Sequence, residues 1–97
     1  MTFDAVLSDV AESFLASLSP VEREGFYRVL DTLCADPYPD NVSKVYLPFP
    51  YRPGTIGFSQ GEFWVAYVIL NAATIAVAQV YWSPDSPRHP LSRGRRA

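Results

Sequence analysis

The sequence predicts an α+β fold in which an antiparallel helical hairpin packs on a small antiparallel β-sheet. Three observations carry this reading. Apolar residues recur at helical spacing before residue 35, a helix-start signal falls at Ser19, and the β-branched and aromatic segments after residue 55 include two joined by a tight turn.

Taken in order, "TFDAV" at 2–6 predicts a short edge strand. Apolar residues then repeat at Val6/Leu7, Val10/Ala11, Phe14/Leu15 and Leu18, one face of a first helix. "SPVE" starts a second: Ser19 is a good N-cap, Pro20 fits the first helical position, and Glu22 completes a capping box. This helix turns Phe26, Val29/Leu30 and Leu33 inward, and Gly25 weakens it by about 1 kcal/mol relative to Ala. The link between the helices is so short that they pack as a hairpin. "DPYPD" at 36–40 ends the second helix, because Pro37 and Pro39 cannot continue it. "VYLPFPYRP" alternates Val45, Leu47, Phe49 and Tyr51 on one face, and its prolines confine it to an edge strand or an extended rim. "TIGF" is a short strand and "SQGE" a turn. Phe63–Leu70 and Thr74–Trp82 are the strongest strands, joined at "NAA". Their near-continuous apolar character implies burial on both faces, or on one face plus a partner, and puts Val68 in the core.

Ninety-seven residues make one small domain, and an apolar fraction of 48% is enough to give it a core. The lone Cys34 excludes an internal disulfide and a cysteine zinc cluster; it reads as a small buried residue and fits a reducing cytoplasm. There is no Gly-rich phosphate loop and no metal-ligand spacing, so the sequence implies no cofactor and no metal. Asn71, Thr74 and Gln79 interrupt the long apolar run, which argues against a membrane span. Asp4 and Asp9, without a basic start, argue against a signal peptide. Residues 1–87 hold ten acidic groups against four basic ones, a net −6, whereas residues 88–97 hold four arginines and are expected to form a flexible basic tail. The acidic 1–87 domain is a poor general platform for nucleic acid, which needs clustered Lys or Arg.

The segments "SDVAESFLASLSPVEREGFYRVLDTLCADPYP", "PYR", "FWVAYVIL" and "IAVAQVYW", in this order and spacing, resemble the RelE/ParE superfamily of bacterial toxins from type II toxin–antitoxin modules, over about residues 3–82. The resemblance implies a cytoplasmic toxin that forms a hetero-oligomer with a cognate antitoxin. Its target would be either DNA gyrase, which one branch poisons, or messenger RNA on the ribosome, which another cleaves. For the cleaving branch, a metal-independent endoribonuclease, the matching positions are few. Arg52 lies in the "YR" segment, Tyr81 falls near the usual His or Tyr acid, and Arg88 and His89 come later on the tail. Gly54 and Thr55 stand where further basic residues are often found, and Trp64 occupies the usual arginine position. RNA cleavage needs proton transfer and a stabilised phosphate charge, and an indole cannot supply that charge.

Each position also has a plainer reading. Arg52 also reads as an edge-strand surface residue, Tyr81 as half-buried packing, His89 as a lone tail histidine and Trp64 as a packing or partner-facing aromatic. Tyr46, Phe49, Tyr51, Trp64 and Trp82 together form a candidate partner-binding rim, since aromatics are favoured interface anchors. The expectation is therefore a toxin acting by binding, in the gyrase-inhibitor manner. The alternatives are a ribosome-dependent endoribonuclease and a catalytically inactive remnant that only binds its antitoxin.

Overall fold

A computed structural model describes residues 2–84 and 86. The elements run β1 (Asp4–Leu7), α1 (Asp9–Ala16), α2 (Pro20–Ala35), β2 (Lys44–Tyr46), β3 (Ile56–Gln60), β4 (Phe63–Asn71) and β5 (Thr74–Trp82). This is the predicted α+β arrangement. The five strands form one sheet in the order β1-β5-β4-β3-β2.

Local chemistry sets the helix ends. The Ser8 hydroxyl accepts from the Ala11 N–H at 3.1 Å and donates to the Ala78 carbonyl at 2.6 Å, so one side chain caps α1 and ties it to β5. Ser19 and Glu22 make the full capping box on α2, with Pro20 at its start. Arg23 reaches back to the Leu15 and Ala16 carbonyls and satisfies the end of α1. The α2 helix ends at Asp36, just before Pro37.

One pairing departs from the expected all-antiparallel sheet: β1 runs parallel to β5, with Asp4 opposite Thr74 and Leu7 opposite Val77. The other pairs are antiparallel. Both helices pack on one face of the sheet. Ala11, Leu18, Phe26, Val29 and Leu33 meet Ile56, Phe58, Phe63, Val65, Tyr67, Ile75, Val77 and Val80 in a single core.

Two further expectations are corrected. In β4 the inward positions are Phe63, Val65, Tyr67 and Ile69, so Val68 lies half-buried on the opposite face, not in the core. The extended rim predicted from Val45 to Tyr51 is a strand only over Lys44–Tyr46. After Leu47 the chain folds into tight turns, with the Tyr51 N–H on the Pro48 carbonyl and the Thr55 N–H on the Arg52 carbonyl, both at 3.1 Å. Phe49 consequently stands 92% exposed rather than in line with Val45 and Tyr51.

No helix among the described residues is long and apolar enough to cross a membrane. The tail expected at 88–97 lies outside the described residues.

Candidate functional site

The face of the sheet away from the helices carries the residues that the sequence marks. Alternation along β4 turns Trp64, Ala66 and Val68 to this open face. The register sets Trp64 directly opposite Tyr81 of β5, and the two rings stack with centroids 5.7 Å apart at 26°. A third ring comes from the loop after β2: Tyr51 lies 6.3 Å from Trp64, tilted by 53°.

Gly57 lets the indole lie close to the sheet. A Cβ on Gly57 would sit 2.8 Å from Leu47 Cδ2 and 3.3 Å from Trp64 Cζ2, closer than ordinary packing allows. The missing side chain in β3 thus makes the bed on which Leu47 and Trp64 rest. Tyr51, Trp64, Tyr81, Trp82 and Pro84 line a shallow cavity of about 240 Å3 beside this shelf. The Trp82 ring belongs to the opposite side, where it stacks on Phe63 at 5.2 Å and leans on Phe14 at 5.3 Å. Behind the cavity, the Glu62 carbonyl accepts from the Ser83 N–H at 2.7 Å and its carboxylate from the Ser86 hydroxyl at 3.0 Å, pinning the end of β5 to the β3–β4 turn.

A larger cleft of about 300 Å3 lies between α2 and the β3–β4 turn, bordered by Glu22, Gly25, Arg28, Gln60 and Glu62. It contains none of the marked residues, and Glu22 is spent on the α2 cap. Despite its size, the open-face cavity is the better candidate.

The electrostatics of the open face are equally definite. Of the four cations among the described residues, Arg23 closes α1 and Lys44 is buried with its ammonium 5.8 Å from the centre of the Phe58 ring. Arg28 borders the larger cleft. Arg52 is exposed in the turn next to Tyr51 and is not part of the cavity lining. No three His, Cys, Asp or Glu residues among those described are grouped to hold a metal. Cys34 is half-buried, and burial, then Asp31 and Asp4, push its thiol up from its ordinary value, which favours the unreactive protonated form.

The structure therefore brings together Tyr51, Trp64 and Tyr81, with Trp82 completing the cavity wall. It leaves Tyr46, 59% exposed, on the edge strand and Phe49 in the turn beyond, away from the cavity lining. Arg88 and His89 lie outside the described residues. Gly57, Leu47 and Pro84 were not marked by the sequence; a glycine inside the "TIGF" strand was the one available signal of a close approach.

No protein-family model and no curated protein matches this sequence. Solved structures match its fold. A chain of the toxin–antitoxin complex RelBE2 from Mycobacterium tuberculosis aligns with 86% of this chain and 100% of its own, at 18% identity and a TM-score of 0.71. A chain of the archaeal RelE–RelB complex from Pyrococcus horikoshii aligns with 89% of this chain and 100% of its own, at 18% identity and a TM-score of 0.65. The E. coli toxin RelE with two arginines replaced by alanine, in the free state, aligns with 96% of this chain and 98% of its own, at 14% identity and a TM-score of 0.56. At these identities the likeness establishes the fold, which is that of the RelE toxins.

Proposed function

We propose that this chain is the toxin of a bacterial type II toxin–antitoxin module, held inactive by a cognate antitoxin, and that it acts by binding its target rather than by cutting RNA. The fold supports the first part, because it is shared with chains of two solved toxin–antitoxin complexes. The second part rests on one observation: an aromatic shelf of Tyr51, Trp64 and Tyr81 occupies the open face, with no cation lining its cavity among the described residues. Cleaving a phosphodiester requires positive charge or donors aimed at the developing oxyanion, and losing one such donor costs about 10²–10³ in rate. Rings offer contact area and stacking instead. DNA gyrase is the target to test first, and residues 1–87 are the domain that carries the activity.

A second reading keeps catalysis. The Tyr81 side chain is 47% exposed and Arg52 lies in the turn beside the shelf, so a proton donor and a cation are both present near the open face. In this reading the chain cleaves messenger RNA on the ribosome, with Arg88 and His89 as further contributors.

Inducible expression in a bacterial host, with and without the adjacent small reading frame, tests the module. Growth arrest relieved by the neighbouring gene is the expected result, and harmless expression together with no complex between the two products would overturn it. Loss of gyrase supercoiling activity with intact messenger RNA supports the binding mode. Cleavage on translating ribosomes with normal supercoiling moves the assignment to the second reading.

A further inference from the structure

We propose that the shelf formed by Tyr51, Trp64 and Tyr81 is a docking site for an arginine side chain carried by a protein partner. The inference rests on the reading that the chain has such a partner, and it fixes the chemistry of the partner's anchor. Tyr51, Trp64 and Tyr81 supply the rings of the cavity wall, and Trp82 and Pro84 complete it. Its central pair is stacked, and Tyr81 keeps about half of its surface in water, so a ring is available at the surface. Such a surface takes either an apolar group or a planar cation, since ring faces carry negative potential and a guanidinium within about 6 Å of a ring is attracted to it.

Charge decides between these. Residues 1–87 carry a net −6, and two of their four cations, Arg23 and Lys44, are turned to internal contacts. The third, Arg28, borders the other cleft, and the fourth, Arg52, lies outside the cavity lining. The chain as a whole still carries a net −2, so its field favours a basic segment over an acidic one. Once a basic segment is near, the shelf is the place where its guanidinium loses little by leaving water. The indole already lies close over Gly57 and against the Tyr81 ring, so its place is set before binding and little ordering remains to be done.

The test uses the whole chain and capped nine-residue peptides of serine and leucine that carry two arginines, two lysines or two glutamates, with a nine-nucleotide single-stranded RNA as the competing probe. Binding is read by calorimetry. The arginine peptide is expected to bind at least threefold more tightly than the lysine copy, and the glutamate copy not at all. Tyr81→Leu and Trp64→Leu are each expected to weaken the arginine peptide about tenfold. Tyr81→Phe is expected to bind normally, because the ring and not the hydroxyl makes the contact. Equal binding of the glutamate copy, unchanged binding in Tyr81→Leu, loss in Tyr81→Phe, or tighter binding of the RNA would each overturn the proposal. Growth arrest and its relief are read separately, so a toxin whose antitoxin is acidic would fail this test while passing the earlier one.

Discussion

Tyr67→Phe isolates one hydrogen bond and should be among the most damaging single-atom changes in this domain. Tyr67 is fully buried in the middle of β4, and its hydroxyl donates to the Pro37 carbonyl at 2.6 Å. That bond fastens the segment following α2 to the central strand. Burial, then the charges of Asp36 and Asp40, push the phenol well above its ordinary range, so it remains a donor across any usable pH. Phenylalanine fills nearly the same volume and leaves no cavity, and the loss is therefore polar. A hydrogen bond contributes about 1 kcal/mol net, and the buried Pro37 carbonyl left without its donor raises the cost to about 1–3 kcal/mol. Domains of this size lose roughly 4–8 °C in Tm per kcal/mol, so calorimetry should show a fall of roughly 5–20 °C. Tyr81→Phe provides the internal control: it removes the same atom from the solvated face and should change stability by less than about 0.5 kcal/mol. If Tyr67→Phe melts within about 1–2 °C of the parent, the hydroxyl does not hold the Pro37 segment and the inward register assigned to Tyr67 loses its support.

Val65→Asp should unfold the protein or cost about 3–5 kcal/mol, because it buries an unpaired charge in the core, whereas Val68→Asp on the open face should cost about 1 kcal/mol; equal effects in chemical denaturation would refute the alternation assigned to β4. Gly57→Val should cost about 1–3 kcal/mol through crowding against Leu47 and Trp64, and should change the near-UV signal of the indole; an unchanged spectrum would contradict the close approach. The Asp40 carboxyl is held well below the usual carboxylate range, chiefly by the Lys44 N–H, then by the Val42 N–H and the Ser43 hydroxyl. A depressed pKa contributes stability above the unfolded value of about 4 and loses it as pH falls. The Tm difference between the parent and Asp40→Ala should therefore be constant above about pH 5 and shrink below pH 4, and a difference that grows on acidification would show the sign to be wrong.

What the sequence disclosed follows from the range of the forces involved. The start of α2 was legible because the capping box of Ser19 and Glu22 is complete within four residues. The β4–β5 hairpin was legible because both strands are strongly apolar and the turn between them is short. The parallel pairing of β1 was not, since a four-residue strand must find a partner some 70 residues away and only the folded core specifies it. Val68 was misplaced for a different reason. Trp64, Ala66 and Val68 on the open face are as apolar as the residues facing the helices, so the period of two that normally reports the buried side is erased. The same erasure marks the candidate site, because apolar positions on a face that neither helix covers are where a partner is expected. Trp64 was singled out because it stands where the RelE/ParE resemblance implies an arginine, but its stacking with Tyr51 and Tyr81 depends on register and on a loop that tight turns fold back.

The β2 edge narrows how a partner could engage this protein on the proposed reading. An exposed edge strand is ordinarily an invitation to strand addition. Here the protein's own chain closes it. The Lys44 N–H is given to the Asp40 carboxylate at 3.0 Å, and the Lys44 carbonyl accepts from the Asp40 and Asn41 N–H groups at 3.0 and 3.2 Å. Asn41 adopts a left-handed φ of 62° to make this turn, which asparagine tolerates better than most residues. Beyond Tyr46, Pro48 and Pro50 lack the donors that a ladder would need. A partner strand would find little more than Tyr46 to pair with, too little for a stable extension of the sheet. The exposed rings of Tyr46 and Phe49 can still serve as side-chain contacts, but backbone pairing along β2 is blocked. Recognition on this side of the molecule therefore has to come through side chains laid across the open face, where Trp64 and Tyr81 offer their rings.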